Sequence, residues 1–265
     1  MLGEFLHFCV MISVSLQPIN KGVMEVIGNK DDNGQVLRWE PFVEMAEAFA
    51  EASYQGVYLM DLHTGKFVYT SDYPLLRLGM TAEEMLDRGL EYLADHIPDD
   101  EQALIADLGH TIQSNYTEIP IALRPQFMIY MNFHLPAEGR NAMVCHKMRL
   151  LDFDADGTAH LLLGLVSPSV HDGSEVVMAG LSSTDWMYSY TVEGKRWERV
   201  TKIQLSDDEL TMLRLTMQGH SLEQIGALMF KSVETVKFYR RQVFLKLKVK
   251  NISEALAYAT HYCLI

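Results

Sequence analysis

The chain has 265 residues, 48% of them hydrophobic and 22% charged, with 22 Lys plus Arg against 35 Asp plus Glu for a net charge of -13. That apolar fraction excludes a self-solvating disordered chain, and the length allows one large domain or two modest ones. Three widely spaced cysteines, Cys9, Cys145 and Cys263, form no legible disulfide framework, which favours a reducing compartment.

The apolar run Phe5 to Leu16 is shorter than the roughly 20 residues that span a bilayer. Met-Leu-Gly-Glu precedes it, where a secretory signal needs a basic segment. The run reads as a buried strand or helix, or as the product of an over-extended start codon. A cytoplasmic protein with no membrane partner is expected.

The mean charge hides an asymmetry. From Thr201 onward nine basic residues face six acidic ones, net +3, so the preceding residues carry net -16. Lys231 to Lys250 alone holds seven basic residues and one acid. An acidic body repels a polyanion, whereas a basic end attracts one.

In chain order, Glu40 to Ala52 has its apolar residues at helical spacing, with Pro41 in the first turn. Gly56 to Leu62 and Lys66 to Ser71 read as two strands of a hairpin whose turn carries Gly65. Thr81-Ala-Glu-Glu84 is a capping box that opens a helix, and a further helix is expected after the acidic turn Pro98-Asp-Asp100, running to about Gln113. Three strands follow, Phe127 to Leu135, Ala142 to Phe153 and Ala159 to Val166, the last two joined by the turn Asp154-Ala-Asp-Gly157. Pro168 to Ser174 reads as a loop, and one hairpin is expected over Trp186 to Val200.

After Val200 the pattern is helical throughout. Ser206-Asp-Asp-Glu209 and Ser221-Leu-Glu-Gln224 are capping boxes, Ser232 caps a helix from Val233 to about Leu247, and Ser253 starts a last helix to Tyr262. Short helices joined by about three residues, the later one basic, form a helix-turn-helix arrangement. On a helical wheel Val236, Tyr239, Val243 and Leu247 share the packed side. Glu234, Lys237, Phe238 and Arg241 lie opposite, within about 80° of one another. Arg241 could fork onto a guanine, Lys237 could reach a base or a phosphate, and Ser232, Thr235, Arg240, Lys246 and Lys250 flank that face for backbone phosphates. The plain alternative is a small helical bundle with a solvated basic edge.

Residues Ser206 to Tyr262 resemble the LuxR/GerE-type helix-turn-helix domain of bacterial transcription regulators. LSDDELTMLRL, SLEQIGALM and SVETVKFYRRQVFLKLKVKN carry the resemblance. It implies sequence-specific binding to double-stranded DNA, usually as a homodimer, with Lys237, Phe238 and Arg241 toward the bases and a contact with RNA polymerase within reach. Two departures stand out. Phe230 and Lys231 occupy places where a glycine and an aliphatic residue are usual, so Phe230 either reshapes the turn or plugs the bundle. Tyr239 stands where a histidine is common, and its hydroxyl needs a partner if buried.

The strands and helices from Gly56 to Ser167 resemble a PAS domain through GVYLMDLHTGKFVYTS, LLRLGMTAEEM and HIPDD. The fold class is therefore α+β: a PAS-like antiparallel sheet with flanking helices, followed by an all-α four-helix helix-turn-helix domain. The expected layout is an extension at 1–39, the PAS-like domain at 40–170, a connecting segment with a hairpin at 171–200 and the DNA-binding domain at 201–265. The resemblance implies either a cavity for a small signal ligand or a packed core used for dimerisation. Tyr58, Met60, Phe67, Met128, Tyr130 and Met143 are the pocket candidates, with Met148 beside them; plain core is the competing reading.

No haem, flavin or other cofactor is expected. Asp152 to Gly157 opens like a calcium loop, but Leu163 stands where a bidentate glutamate is needed. Cys145-His146 and His261-x-Cys263 have no second pair at finger spacing, so no metal is expected. With no nucleophile elbow, phosphate loop or H-E-x-x-H motif, no enzyme is expected. The chain reads as a signal-sensing transcription regulator; the rival is a protein-interaction adaptor whose helix-turn-helix has lost DNA.

Overall fold

A computed structural model describes residues 39–89, 91–99, 101–102, 116–137, 140–169, 177–191, 194, 196–262 and 264–265. The amino-terminal apolar run, most of the helix expected after Pro98 and the loop expected up to Ser174 fall outside these. The chain divides into two compact units, one ending at Val200 and one starting at Thr201.

The first unit is built on an antiparallel sheet. Helix α1 (Glu40–Ala52) precedes β1 (Gly56–Asp61) and β2 (Phe67–Thr70). Their hairpin is closed by Asp61, whose carboxylate accepts from the His63 N–H and the Thr64 hydroxyl, each at 2.7 Å. Helices α2 (Pro74–Arg77), α3 (Ala82–Arg88) and α4 (Glu91–His96) follow. The capping box expected at Thr81 is complete, with Glu84 returning the bond to the Thr81 backbone. A 3₁₀ turn at Ile121–Gln126 leads into β3 (Phe127–Ala137), β4 (Arg140–Phe153) and β5 (Ala159–Pro168).

Every residue of β1 is buried, because the strand is covered on both faces. Val57 and Leu59 meet Phe42, Val43 and Ala46 of α1, while Tyr58 and Met60 enter the larger core with Leu76, Met85 and Tyr92 from the other helices. This is an α+β architecture. In Asp152 to Gly157, the calcium-loop decoy, the first two residues end β4 and Asp154 to Gly157 form the turn to β5, with Gly157 at φ 82°.

One expectation needs correction. Residues 171–200 were expected to connect the domains, but β6 (Val177–Leu181), β7 (Trp186–Thr191) and β8 (Arg196–Thr201) extend the same sheet in the order β2-β1-β5-β4-β3-β6-β7-β8. The short strand β6 pairs with β3 from Phe127↔Leu181 to Met131↔Val177 and supplies the link. Its sequence VMAGL is short and carries a glycine, so alternation alone did not mark it.

The second unit holds α5 (Asp207–Met217), α6 (Leu222–Met229), α7 (Val233–Leu247) and α8 (Ile252–His261). Both expected capping boxes form, at Ser206 and Ser221. The last helix starts earlier than expected: Asn251, not Ser253, is its cap, since the Asn251 Oδ1 accepts the Glu254 N–H at 3.0 Å. Met212, Leu213, Ile225, Val236, Val243, Leu247, Ala255 and Ala259 are the buried apolar residues at its centre.

Candidate nucleic-acid interface

The turn between α6 and α7 is closed by a residue that the rules of backbone geometry disfavour. Phe230 is the C-cap of α6 at φ 55°, ψ 41°, in the left-handed region, and its side chain is 94% exposed. It therefore neither plugs the bundle nor reshapes the turn; it takes the conformation a glycine would take. The following Lys231 N–H donates to Gly226 O at 2.9 Å. That close approach needs Gly226, where a Cβ would come within 2.9 Å of the Lys231 carbonyl oxygen.

Asp208 of α5 locks the start of α7 from below. The Tyr239 hydroxyl donates to its Oδ2 at 2.5 Å, and Lys231 Nζ stands 3.6 Å from the same oxygen. The Tyr239 bond first, then the Lys231 charge, holds the Asp208 carboxyl below its usual range. Half-buried Tyr239 thus finds the partner its hydroxyl needed.

Ser232 caps α7 by accepting the Thr235 N–H at 3.1 Å. Val236, Val243 and Leu247 are buried, while Glu234, Lys237, Phe238 and Arg241 are exposed. Lys237 Nζ donates to Glu234 Oε1 at 2.8 Å, an (i, i+3) pair in water. Among the described residues, the Arg241 and Lys250 side chains have no hydrogen bond or ion pair. Arg240 is half-buried, its guanidinium 6.0 Å from the centre of the Phe244 ring.

Lys246 was expected at phosphates. Instead its Nζ bonds the buried Glu209 carboxylate at 2.6 Å, joining the end of α7 to the capping box of α5. Burial pushes the Glu209 carboxyl up, but the bonds from Lys246 and the Ser206 N–H outweigh it and hold the carboxyl below its usual range. Lys246 is therefore a structural clamp. An acid 37 residues away in sequence gives no local signal of this. Exposed Leu245, four residues after Arg241 on the same stripe, was also missed; its (i, i+4) spacing was the available signal.

The pocket candidates separate by strand alternation. Tyr58, Met60 and Phe67 lie in the main core, as does Met148. Met128, Tyr130 and Met143 do not: Ile129, Met131, Phe133 and Val144 take the inward positions, so these three side chains face the other way. Inside the core the Tyr58 hydroxyl lies 2.7 Å from His146 Nε2, and burial drives the His146 imidazole down to about 3, so it is neutral. Gly164 makes the room, because a Cβ there would sit 2.1 Å from the Tyr58 ring. The buried Tyr92 hydroxyl has no hydrogen-bond partner among the described residues. His134 is held by the buried Glu101, which also accepts the His134 backbone N–H, both at 2.6 Å. Cys145 is buried, which pushes its thiol up to about 11 and away from thiolate chemistry.

Residues 203–259 match the family described as bacterial regulatory proteins, luxR family. The carboxy-terminal unit is a LuxR-type helix-turn-helix domain. No curated protein matches the chain. Among solved structures, the Vibrio cholerae VqmA dimer is 15% identical over 81% of this chain and 86% of its own, with a TM-score of 0.31. A phage VqmA–DPO complex is 12% identical over 84% and 90%, TM-score 0.31. The PAS domain of Bordetella pertussis BvgS is 14% identical over 50% and 90%, TM-score 0.35. Those scores are low and assign this chain neither ligand nor partner.

Within the LuxR-type domain, α6 and α7 with their three-residue turn form the helix-turn-helix, and α7 carries the exposed charges. Among the described residues no His, Cys, Asp and Glu cluster suits a metal, and no helix is long and apolar enough to cross a membrane.

Proposed function

We propose that the protein is a cytoplasmic transcription regulator that lays α7 in the DNA major groove, as a homodimer whose two recognition helices meet half-sites ~34 Å apart. The observation that carries this reading is the outward face of α7: an exposed Arg241 with no hydrogen bond or ion pair among the described residues, Lys237 beside it and an exposed Phe238, on a helix whose opposite side is buried. Arg241 would read a base, Ser232, Thr235, Arg240 and Lys250 would meet phosphates, and Lys246 would hold the fold. An RNA polymerase contact belongs to the same reading. The glycine-like backbone of Phe230 speaks against the adaptor alternative, since the turn keeps its shape.

The PAS-like unit would receive a small signal molecule or bring two protomers together. Tyr92, whose hydroxyl has no hydrogen-bond partner among the described residues, and the Tyr58–His146 pair are polar groups such a molecule would meet in the core. The signal would act by favouring one arrangement of the recognition helices over another.

A salt titration of duplex binding by the full chain tests the DNA reading. Lys250→Ala should weaken all sequences alike and lower the salt slope by about 1, whereas Arg241→Ala should relax base preference. Equal effects of both on every sequence, or no retention of duplex at low salt, would refute it.

A further inference from the structure

Phe238 is 49% exposed on the same stripe as Arg241. Leu245, 67% exposed, lies on the same stripe, so the outward face of α7 carries two large apolar groups among its charges. The Phe238 and Tyr239 ring centroids lie 6.0 Å apart, and Tyr239 is tied through its hydroxyl to Asp208. Phe238 is an exposed apolar group between the Glu234–Lys237 pair and Arg241.

The floor of the major groove offers hydrogen-bonding edges and one apolar group, the C5-methyl of thymine. Resting on the DNA reading above, we propose that Phe238 is a specificity-determining residue that selects thymine through this methyl group, with Arg241 taking a guanine on an adjacent base pair. Phe238 and Arg241 stand three residues apart on one face of α7, so both can reach into one stretch of groove. Arg241 would fork onto guanine O6 and N7 while the Phe238 ring lies on the neighbouring methyl. Cytosine offers no methyl at C5, but 5-methylcytosine does. The same contact therefore makes 5-methylcytosine a substitute for thymine at that position, as far as the apolar contact goes.

The test uses the full chain and a randomised 30-base-pair duplex library. Selection on the thymine-containing library should yield sites with a fixed thymine next to a guanine. The highest-ranked duplex is then rebuilt with deoxyuridine at that thymine alone. Loss of one buried methyl should weaken wild-type binding about fourfold. Phe238→Ala should bind the thymine and deoxyuridine duplexes equally, and Phe238→Leu, which keeps an apolar contact, should retain part of the difference. Selection on a library with 5-methylcytosine replacing cytosine should admit methylcytosine at the thymine position for wild type only. Unchanged binding on deoxyuridine substitution, with DNA retained, would overturn the thymine contact and leave the DNA reading standing; the ring would then face protein. A deoxyuridine effect that persists in Phe238→Ala would assign the methyl to another residue. Failure to enrich any duplex would overturn both readings together. Unchanged circular dichroism of the variants shows that the changes come from contact, since the side chain is outside the core.

Discussion

Replacing Phe230 with glycine should make the helix-turn-helix unit more stable, although it removes the largest side chain in the turn. The backbone there sits at φ 55°, ψ 41°, a conformation that costs an L-residue about 1–2 kcal/mol. The ring offsets none of this by burial, being 94% exposed. Glycine removes the strain but loses more freedom on folding, roughly 0.5–1 kcal/mol. The balance is a gain of about 0–1.5 kcal/mol, centred near 0.75. Phe230→Ala should give no such gain, because alanine keeps the Cβ that causes the strain. Hydrogen exchange of peptides from α5, α6 and α7 in the full chain reads this directly, as slower exchange in the glycine variant alone. Faster exchange in Phe230→Gly would mean that the ring is packed, and would refute the reasoning.

Three further outcomes follow from the same geometry. Gly164→Ala places a methyl where the Tyr58 ring lies and should cost about 1–3 kcal/mol as Tyr58 leaves His146; tryptophan fluorescence reports it, since Trp39, Trp186 and Trp197 all precede Val200, and an unchanged urea midpoint would count against the packing described. His146 stays neutral in the fold down to about 3, whereas the unfolded chain takes up a proton below its ordinary 6.5, so stability should fall by up to about 1.4 kcal/mol per pH unit between these values. His146→Gln should flatten that dependence, and equal slopes would contradict it. Glu209 is held below its ordinary 4.5, so its contribution is present above that pH and is lost as the pH falls through the lowered value. Lys246→Met should reduce the loss and raise hydrogen exchange at the start of α5; no change at that helix would show that the clamp contributes nothing.

Much of the fold could be read from spacing and caps. The helix Val233–Leu247 was expected within its observed limits because Ser232 caps it and its buried residues recur at helical period. The hairpin of β1 and β2 followed from alternation around Gly65. What could not be read depends on contacts distant in sequence. Alternation marks two faces of a strand but not which one meets the helices, so Met128, Tyr130 and Met143 were placed on the wrong side. The charge of Lys246 looked available until Glu209 came beside it. Phe230 broke a turn rule in sequence, yet the backbone kept the turn and absorbed the strain.

The most direct measurement is photo-crosslinking with benzoylphenylalanine placed at position 238 of the full chain, against a control at position 217, which is equally exposed on α5. With the selected duplex the account predicts crosslinks to bases from 238, suppressed by salt, and none from 217. Crosslinking from 217 with none from 238 would contradict it, because α7 would then not be the helix that meets DNA.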